Sequence, residues 1–209
     1  MSDLFANSSI DQNLEAPLAD KMRPKSLDEV IGQHHLLCEG APLQNMISSG
    51  NFSSLILWGP PGVGKTTIAR LLADHSKSHF EQLSAIFTGV SDLKKVFEAA
   101  KIRRTNGHKT MIFVDEIHRF NKSQQDSFLP FLEDGTITLI GATTENPSFE
   151  LNPAILSRVQ VLVLERLTNS NLENIFERAE SLLGSKINLD LDAKNELFKI
   201  LFYYNTELS

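Results

Sequence analysis

The sequence predicts an α/β fold, in which a doubly wound parallel five-stranded sheet is followed by a partial small helical lid. Two observations lead to this prediction. Apolar runs rich in β-branched residues alternate with helical patterns, as in parallel sheets covered by helices on both faces. After Leu164 the strand patterns end, and apolar residues recur only at helical spacing. The chain therefore divides into a disordered polar tail over 1–15, an α/β domain over 16–166 and a partial lid over 167–209.

The predicted strands and helices follow from the positions of the apolar residues. Strands are predicted at Leu55–Trp58, Leu83–Phe87, Thr110–Val114, Ile137–Ala142 and Gln160–Leu164. Helices are predicted between them at Thr66–His75, Asp92–Arg104 and Ser123–Glu133, with Ser91 as the N-cap of the second. In the lid, helical spacing relates Leu172, Ile175, Phe176, Ala179, Leu182 and Leu183. A doubly wound sheet binds its ligand at the carboxyl ends of its strands.

Composition argues against several classes of protein. The chain has 209 residues, a net charge of −6 and a single cysteine, Cys38, so it cannot form an intramolecular disulfide. No apolar run approaches the ~20 residues of a membrane span, and the start of the sequence has no secretory signal pattern. These features predict a cytoplasmic protein with no membrane partner. Because the net charge is negative, any surface that binds nucleic acid has to be local.

A complete phosphate-binding loop follows the first predicted strand and opens a helix. It consists of Gly59, Pro60, Pro61, Gly62, Val63, Gly64, Lys65 and Thr66, in the pattern G-x-x-x-x-G-K-[ST]. The glycines let successive backbone N–H groups point at phosphate oxygens, and the helix N-terminus adds partial positive charge. Lys65 can reach the β- and γ-phosphates, and the Thr66 hydroxyl can bind Mg²⁺. ATP and Mg²⁺ are therefore the predicted ligands, with Thr67 next to them at the helix start.

Two carboxylates end the third predicted strand, about fifty residues after the phosphate loop. At the tip of a strand, Asp115 could hold the Mg²⁺ that Thr66 touches, directly or through water. Glu116 would then face the γ-phosphate and could orient and deprotonate the attacking water. The pattern predicts a metal ligand and a water activator side by side.

At this point the sequence resembles a known family. The phosphate loop, the strand ending in Asp115 and Glu116, and the run LIGATTENP over 139–147 resemble AAA+ ATPases. The runs HRFNKSQQD over 118–126, EDGTI over 133–137 and NPSFELNPAILSR over 146–158 are similar to the replication-associated recombination protein A family. The resemblance extends from about Pro17 to about Leu189 and makes the α/β domain an AAA+ nucleotide-binding domain.

The resemblance implies roles for further residues. Thr144 falls where sensor 1 belongs, although Thr143 next to it stays an alternative. Arg158 matches the arginine finger that one subunit donates to the site of its neighbour. Val30 and Ile31 lie in the segment that packs beside adenine. For His118 the sequence favours a packing or signalling role over catalysis.

The resemblance also implies a function. It predicts a DNA-dependent ATPase that hydrolyses ATP at subunit interfaces, remodels DNA ends or junctions, and maintains replication forks in recombination and repair. Its expected partners are DNA, single-stranded-DNA-binding protein and further copies of itself, at the nucleoid. A clamp-loader subunit or a Holliday-junction branch-migration motor stays an alternative. The basic stretch over 101–109 is either a helix end with cations opposing the macrodipole or a surface for DNA.

One departure from the family supports a different alternative. Relatives carry a sensor 2 arginine in a Gly-Asp-Ala-Arg phrase of the lid, whereas this sequence has no arginine after Arg178 and ends at Ser209. We therefore expect either an expressed fragment or a gene product that ends early. A nucleotide-binding fragment without turnover is the corresponding functional alternative.

Overall fold

The protein contains a five-stranded sheet in which all neighbouring strands are parallel. The computed structural model describes residues 17–204, so the predicted tail over 1–15 and the end of the chain beyond residue 204 lie outside it. The strands are β1 (Leu55–Trp58), β2 (His79–Ser84), β3 (Thr110–Asp115), β4 (Ile137–Thr143) and β5 (Gln160–Val163). Their order across the sheet is β2-β3-β4-β1-β5. The prediction of a parallel five-stranded α/β fold is therefore confirmed.

The helices flank this sheet and fill the connections between strands. Before β1 lie α1 (Leu18–Lys21), α2 (His34–Leu37) and α3 (Pro42–Ser49). The connections within the sheet contain α4 (Lys65–Ser76), α5 (Val90–Thr105), α6 (Lys122–Asp126), α7 (Leu129–Glu133), α8 (Pro147–Glu150) and α9 (Pro153–Leu156). After β5 come α10 (Asn169–Leu183) and α11 (Leu191–Tyr204). Within residues 17–204, no helix combines the length and the apolar character that crossing a bilayer requires.

The core lies on both faces of the sheet because alternate residues of each central strand point to opposite sides. Along β1, Leu55 and Leu57 pack with α3 and α4, whereas Ile56 packs with α5 and its neighbours. On β3, Phe113 joins the first cluster and Val114 the second. Full burial on both sides explains why these strands are continuous apolar runs in the sequence.

The second strand differs from the prediction. β2 spans His79–Ser84, so the predicted strand over Leu83–Phe87 is wrong over most of its length. The N–H groups of Phe87 and Thr88 both donate to Ser84 O, which turns the chain away from the sheet. Because β2 is an edge strand with partly exposed polar residues, its sequence lacks the apolar pattern that identified the other strands.

Two helices also differ from the prediction. Helix α5 begins at Val90 with Gly89 as its N-cap, so Ser91 lies inside the helix and its assignment as N-cap is wrong. The Asp92 carboxylate accepts the Gly89 N–H at 3.3 Å and satisfies that end of the helix. The single helix predicted over Ser123–Glu133 is instead the pair α6 and α7. Pro130 has no N–H to donate back to residue 126, so the first helix cannot continue through it.

Gly59 allows β1 and the end of β5 to approach closely. A Cβ atom at this position would lie 2.5 Å from the Leu164 carbonyl oxygen, and Leu164 N–H donates to Trp58 O at 2.7 Å. We expect Gly59→Ala to lower the free energy of unfolding by about 1–3 kcal/mol, because a backbone atom has to move. Urea unfolding of the nucleotide-free chain measures this.

Gly89→Ala is the matched control for Gly59→Ala. A Cβ atom at Gly89 meets only ordinary contacts, the nearest being Asp92 Oδ2 at 3.6 Å. Since glycine is preferred over alanine at an N-cap, we expect Gly89→Ala to cost only about 0.5 kcal/mol. Equal stability of the two variants would show that the approach of β1 to Leu164 is not tight.

Candidate functional site

The topology brings three strand ends together. β4 lies between β1 and β3, and β1 is hydrogen-bonded to β4 on one side and to β5 on the other. The phosphate loop follows β1, the two acids end β3, and the two threonines end β4. Because all three strands are parallel, these groups lie together at the carboxyl ends of the strands.

The phosphate loop ends in the first turn of α4. Gly62 and Gly64 have φ values of 74° and 99°, in the region that favours glycine. The first backbone bond of the helix runs from Ile68 N–H to Gly64 O, so the helix leaves the preceding N–H groups free of intrahelical partners. These groups form the anion-binding end of the helix that the motif predicts.

The Lys65 ammonium is held inside the loop. Its Nζ donates to the carbonyl oxygens of Gly59 at 2.6 Å and Pro60 at 2.8 Å, and the residue is only 8% exposed. Burial lowers the pKa of Lys65, while the carboxylates of Glu116 and Asp115 act in the opposite direction. The Lys65 amine is therefore close enough to both acids to interact electrostatically with them.

The two acids at the end of β3 have different surroundings. Within residues 17–204, the Asp115 carboxylate makes no hydrogen bond or ion pair, so it keeps its oxygens for a cation. Glu116 has φ 52°, a left-handed conformation that non-glycine residues rarely adopt. Its Oε2 lies 3.3 Å from His118 Nδ1 and accepts a hydrogen bond from Thr144 Oγ1 at 3.4 Å.

The structure separates the two threonines that the sequence could not. Thr144 contacts Glu116, which supports its assignment as sensor 1. Thr143 is fully buried, and its hydroxyl bonds to the backbone of Glu145 and to His118 Nδ1. Trp58 Nε1 donates to Thr144 O at 3.3 Å and ties the end of β4 to the end of β1.

The residues present fit a magnesium ion bound with nucleotide. Within residues 17–204, no group of three or more His, Cys, Asp or Glu side chains could hold a metal by itself. Mg²⁺ bound with nucleotides needs only one or two carboxylates, since phosphates and waters complete its shell. Among residues 17–204 nothing hydrogen-bonds to the Asp115 carboxylate, and Thr66 offers a half-buried hydroxyl at the loop. The donor set is therefore of the kind that nucleotide-bound Mg²⁺ uses.

A cleft of about 490 Å³ adjoins the phosphate loop. Val30 and Ile31 line it together with Gly62–Gly64 of the loop and Ile175 of α10. Its apolar walls suit an adenine base, which supports the predicted contacts of Val30 and Ile31. A larger groove of about 1020 Å³ lies over α2 and α3, but none of its lining residues belongs to the phosphate loop or the strand ends. The chemistry therefore favours the smaller cleft.

Arg178 also lines this cleft, a position that the sequence did not reveal. Its guanidinium donates to the Glu29 carboxylate at 2.6 Å and contacts Glu29 O at 3.3 Å. The pKa of Glu29 is lowered, first by the Lys25 N–H and then by Arg178. This pair joins α10 to the segment before β1 across the cleft. Arg178 lies one turn after Ile175 on α10 and borders the apolar face, and no local sequence pattern marks that position.

Arg158 lies away from the phosphate loop of its own chain. It precedes β5 and lines a pocket with Ser54 and Thr110, at the amino ends of the strands, whereas the loop follows the carboxyl end of β1. Its guanidinium pairs with Glu133 at 2.6 Å and bonds to Ala154 O at 2.7 Å. The structure therefore does not bring Arg158 together with Lys65 in one chain.

Carboxylates pair with three cations of the basic stretch over 101–109. Lys101 pairs with Glu98 at 2.7 Å, Arg103 with Glu81 at 3.5 Å, and Arg104 with Asp134 at 3.3 Å. A Thr136 hydrogen bond, with help from Arg104, lowers the pKa of Asp134. These contacts favour the helix-end interpretation of the stretch over a surface for DNA.

Comparisons with known proteins agree with this geometry. Residues 55–167 match the model of the family described as "ATPase family associated with various cellular activities (AAA)". Over 177 residues the chain is 51% identical to replication-associated recombination protein A of Escherichia coli, with 84% of the chain and 40% of the relative covered. It is 46% identical over 189 residues to "ATPase WRNIP1" of Dictyostelium discoideum, covering 88% of the chain and 22% of the relative.

Solved structures agree at the level of the fold. The "RuvB Holliday junction branch migration motor" of Thermotoga maritima has a TM-score of 0.64 and 31% identity, with 78% of the chain and 55% of that protein covered. The chain spans two fifths of the length of the Escherichia coli relative and just over half of the RuvB chain.

Proposed function

Because the chain belongs to the AAA family of ATPases, we propose that it binds ATP with Mg²⁺ and hydrolyses it to ADP and phosphate. The observation that carries the proposal is the arrangement at the strand ends, where Lys65 follows β1, Asp115 and Glu116 follow one another at the end of β3, and Thr144 after β4 bonds to Glu116. Phosphoryl transfer requires these groups: a cation that binds the phosphates, a carboxylate that binds the metal and a second carboxylate that orients the water.

In this proposal each side chain has one task. Lys65 exchanges the carbonyls of Gly59 and Pro60 for phosphate oxygens. Thr66 and Asp115 hold Mg²⁺, which when bound neutralises charge on the phosphates. Glu116 takes a proton from the attacking water, and Thr144 orients that water or the γ-phosphate. Val30 and Ile31 contact the base in the adjoining cleft.

The named relatives suggest where such an ATPase acts. One is named for replication-associated recombination, and one solved structure is of a branch-migration motor. We therefore propose a role on DNA ends or junctions in replication-fork maintenance. The partners would be DNA, single-stranded-DNA-binding protein and further copies of the chain, and the place of action would be the cytoplasm at the nucleoid.

Binding and turnover, measured side by side, test the proposal. Calorimetry should detect affinity for ATP and ADP that falls when Mg²⁺ is chelated, and phosphate release should rise when forked DNA is added. Affinity without any release, with or without DNA, would support a nucleotide-dependent binding module instead. No magnesium-dependent affinity in folded protein would overturn the proposal.

A mixing experiment tests the proposed transfer of Arg158 between subunits. We expect Arg158→Ala to lower hydrolysis by about 10³-fold, since an arginine finger contributes 10³–10⁵-fold. Mixing Arg158→Ala with the equally inactive Lys65→Ala should restore activity, because some interfaces then combine an intact loop with an intact arginine. Arg70→Ala, an exposed arginine on α4, is the matched control. A mixture that stays inactive would contradict the shared site.

A further inference from the structure

His118 lies between the ends of β3 and β4, where the proposed function gives it no task. Its Nδ1 is 2.9 Å from Thr143 Oγ1 and 3.3 Å from Glu116 Oε2. Its side chain is 11% exposed, against 27% for Glu116, so the ring is better shielded from water than the carboxylate beside it. We propose that His118 is a positioning residue: its Nδ1–H bonds to Thr143, and the positive edge of the ring that this bond orients holds the Glu116 carboxylate. This inference rests on the proposed role of Glu116 in hydrolysis.

The bonds of Thr143 favour a proton on Nδ1 of His118. A threonine hydroxyl has one hydrogen to donate and two lone pairs that accept. Thr143 Oγ1 accepts the Glu145 N–H at 3.0 Å and is placed to donate to Glu145 O at 3.2 Å. What remains is one lone pair, and it faces His118 Nδ1. With the hydroxyl hydrogen on Glu145 O, the ring nitrogen is the donor in this contact.

The position of Glu116 leads to the same assignment independently. An Nδ1 lone pair 3.3 Å from a carboxylate oxygen would be repelled, whereas an N–H at that distance is attracted. Neutral His118 is therefore the Nδ1–H tautomer, with its hydrogen bonded to Thr143 and its positive edge toward Glu116. Thr143, buried and bonded on both sides, fixes the direction of that edge.

Thr144 and His118 both act on the same oxygen of Glu116. Thr144 Oγ1 and His118 Nδ1 both lie next to Oε2, and within residues 17–204 Oε1 makes no hydrogen bond. Anchoring one oxygen restricts rotation of the carboxylate and leaves the other free for the water that Glu116 is proposed to activate. His118 thus acts on the reaction through Glu116 without contacting the reacting atoms.

Two amide substitutions separate a donor role from a packing role. The amide nitrogen of asparagine can take the place of Nδ1, whereas that of glutamine takes the place of Nε2. We expect His118→Asn to keep most of the hydrolysis rate. His118→Gln and His118→Leu should lower that rate by about 10- to 100-fold, because the carboxylate is no longer held. The KM for ATP and the calorimetric affinity for ADP should be unchanged in all three variants.

Nitrogen NMR of the imidazole rings provides a second measurement that does not depend on turnover. The ¹⁵N shifts of His118, assigned with the His118→Asn variant, should report the Nδ1–H tautomer in the nucleotide-free chain. An Nε2–H tautomer, or equal rates for the asparagine and glutamine variants, would overturn the inference. Failure of the proposed function is distinguished by Glu116→Gln, because undiminished hydrolysis by that variant removes the role of Glu116 itself.

Discussion

Replacing Lys65 by alanine is expected to abolish measurable nucleotide binding. The ammonium would supply charge-assisted hydrogen bonds to the phosphates, worth about 1.5–3 kcal/mol each. Since 1.4 kcal/mol corresponds to a factor of ten, loss of two such bonds should lower the affinity for ATP by about 100-fold or more. Calorimetric titration of Mg²⁺–ATP into wild type and variant measures the difference.

The control for Lys65→Ala has to separate binding from folding. Lys65 is buried and bonded to Gly59 O and Pro60 O, so its removal also affects the empty loop. Lys77→Ala, which removes an exposed lysine at the other end of α4, should leave affinity unchanged. If the alanine variant at position 65 unfolds at the same urea concentration as wild type yet binds ATP equally well, the loop does not hold the phosphates.

Glu116→Gln is expected to block hydrolysis and preserve binding. The amide is close in shape to the carboxylate but cannot take a proton from water, and general-base catalysis contributes about 10²–10⁴-fold. Phosphate release should fall by that factor, while affinity for Mg²⁺–ATP stays within about 1 kcal/mol of wild type because Lys65 and the loop are unchanged. Single-turnover hydrolysis and calorimetry on the same preparation give both quantities.

An exposed acid elsewhere provides the matched control for this substitution. Glu98 lies on α5, where it pairs with Lys101 at 2.7 Å, and Glu98→Gln should hydrolyse ATP at the wild-type rate. Normal hydrolysis by Glu116→Gln would exclude Glu116 as the water activator. Loss of both binding and hydrolysis would instead mean that the glutamate supports the loop.

The sequence predicted the central strands well because a strand buried on both faces is a continuous apolar run in the sequence. The residues of β1, β3 and β4 are buried on both faces, so their apolar runs identify them without knowledge of their neighbours. The edge strand β2 has no such apolar run, because it consists mostly of partly exposed polar residues. The division of α6 from α7 depends on Pro130, whose effect a helical pattern of apolar residues does not show.

In the candidate site, too, the sequence predicted the residues in continuous motifs and missed the long-range contacts. Lys65, Thr66, Asp115 and Glu116 belong to continuous motifs, so spacing alone could predict their chemistry. The contact between His118 and Thr143 joins the segment after β3 to the end of β4, and the adjacency of these strands is known only once the order β2-β3-β4-β1-β5 is known. The same holds for Arg178 and Glu29, which are 149 positions apart in the chain. Long-range contacts of this kind leave no periodic signal.

The internally bonded ammonium of Lys65 has a consequence for selectivity among anions. In the empty protein this amine already donates to two carbonyl oxygens, so an incoming anion gains only the difference between new bonds and old ones. Free orthophosphate or sulfate, with few oxygens to offer, gains little from that exchange. A polyphosphate chain can contact the amine, the loop N–H groups and the metal ligands together, and so forms favourable contacts with each of them. We therefore expect the resting loop to bind a polyphosphate more tightly than orthophosphate or sulfate.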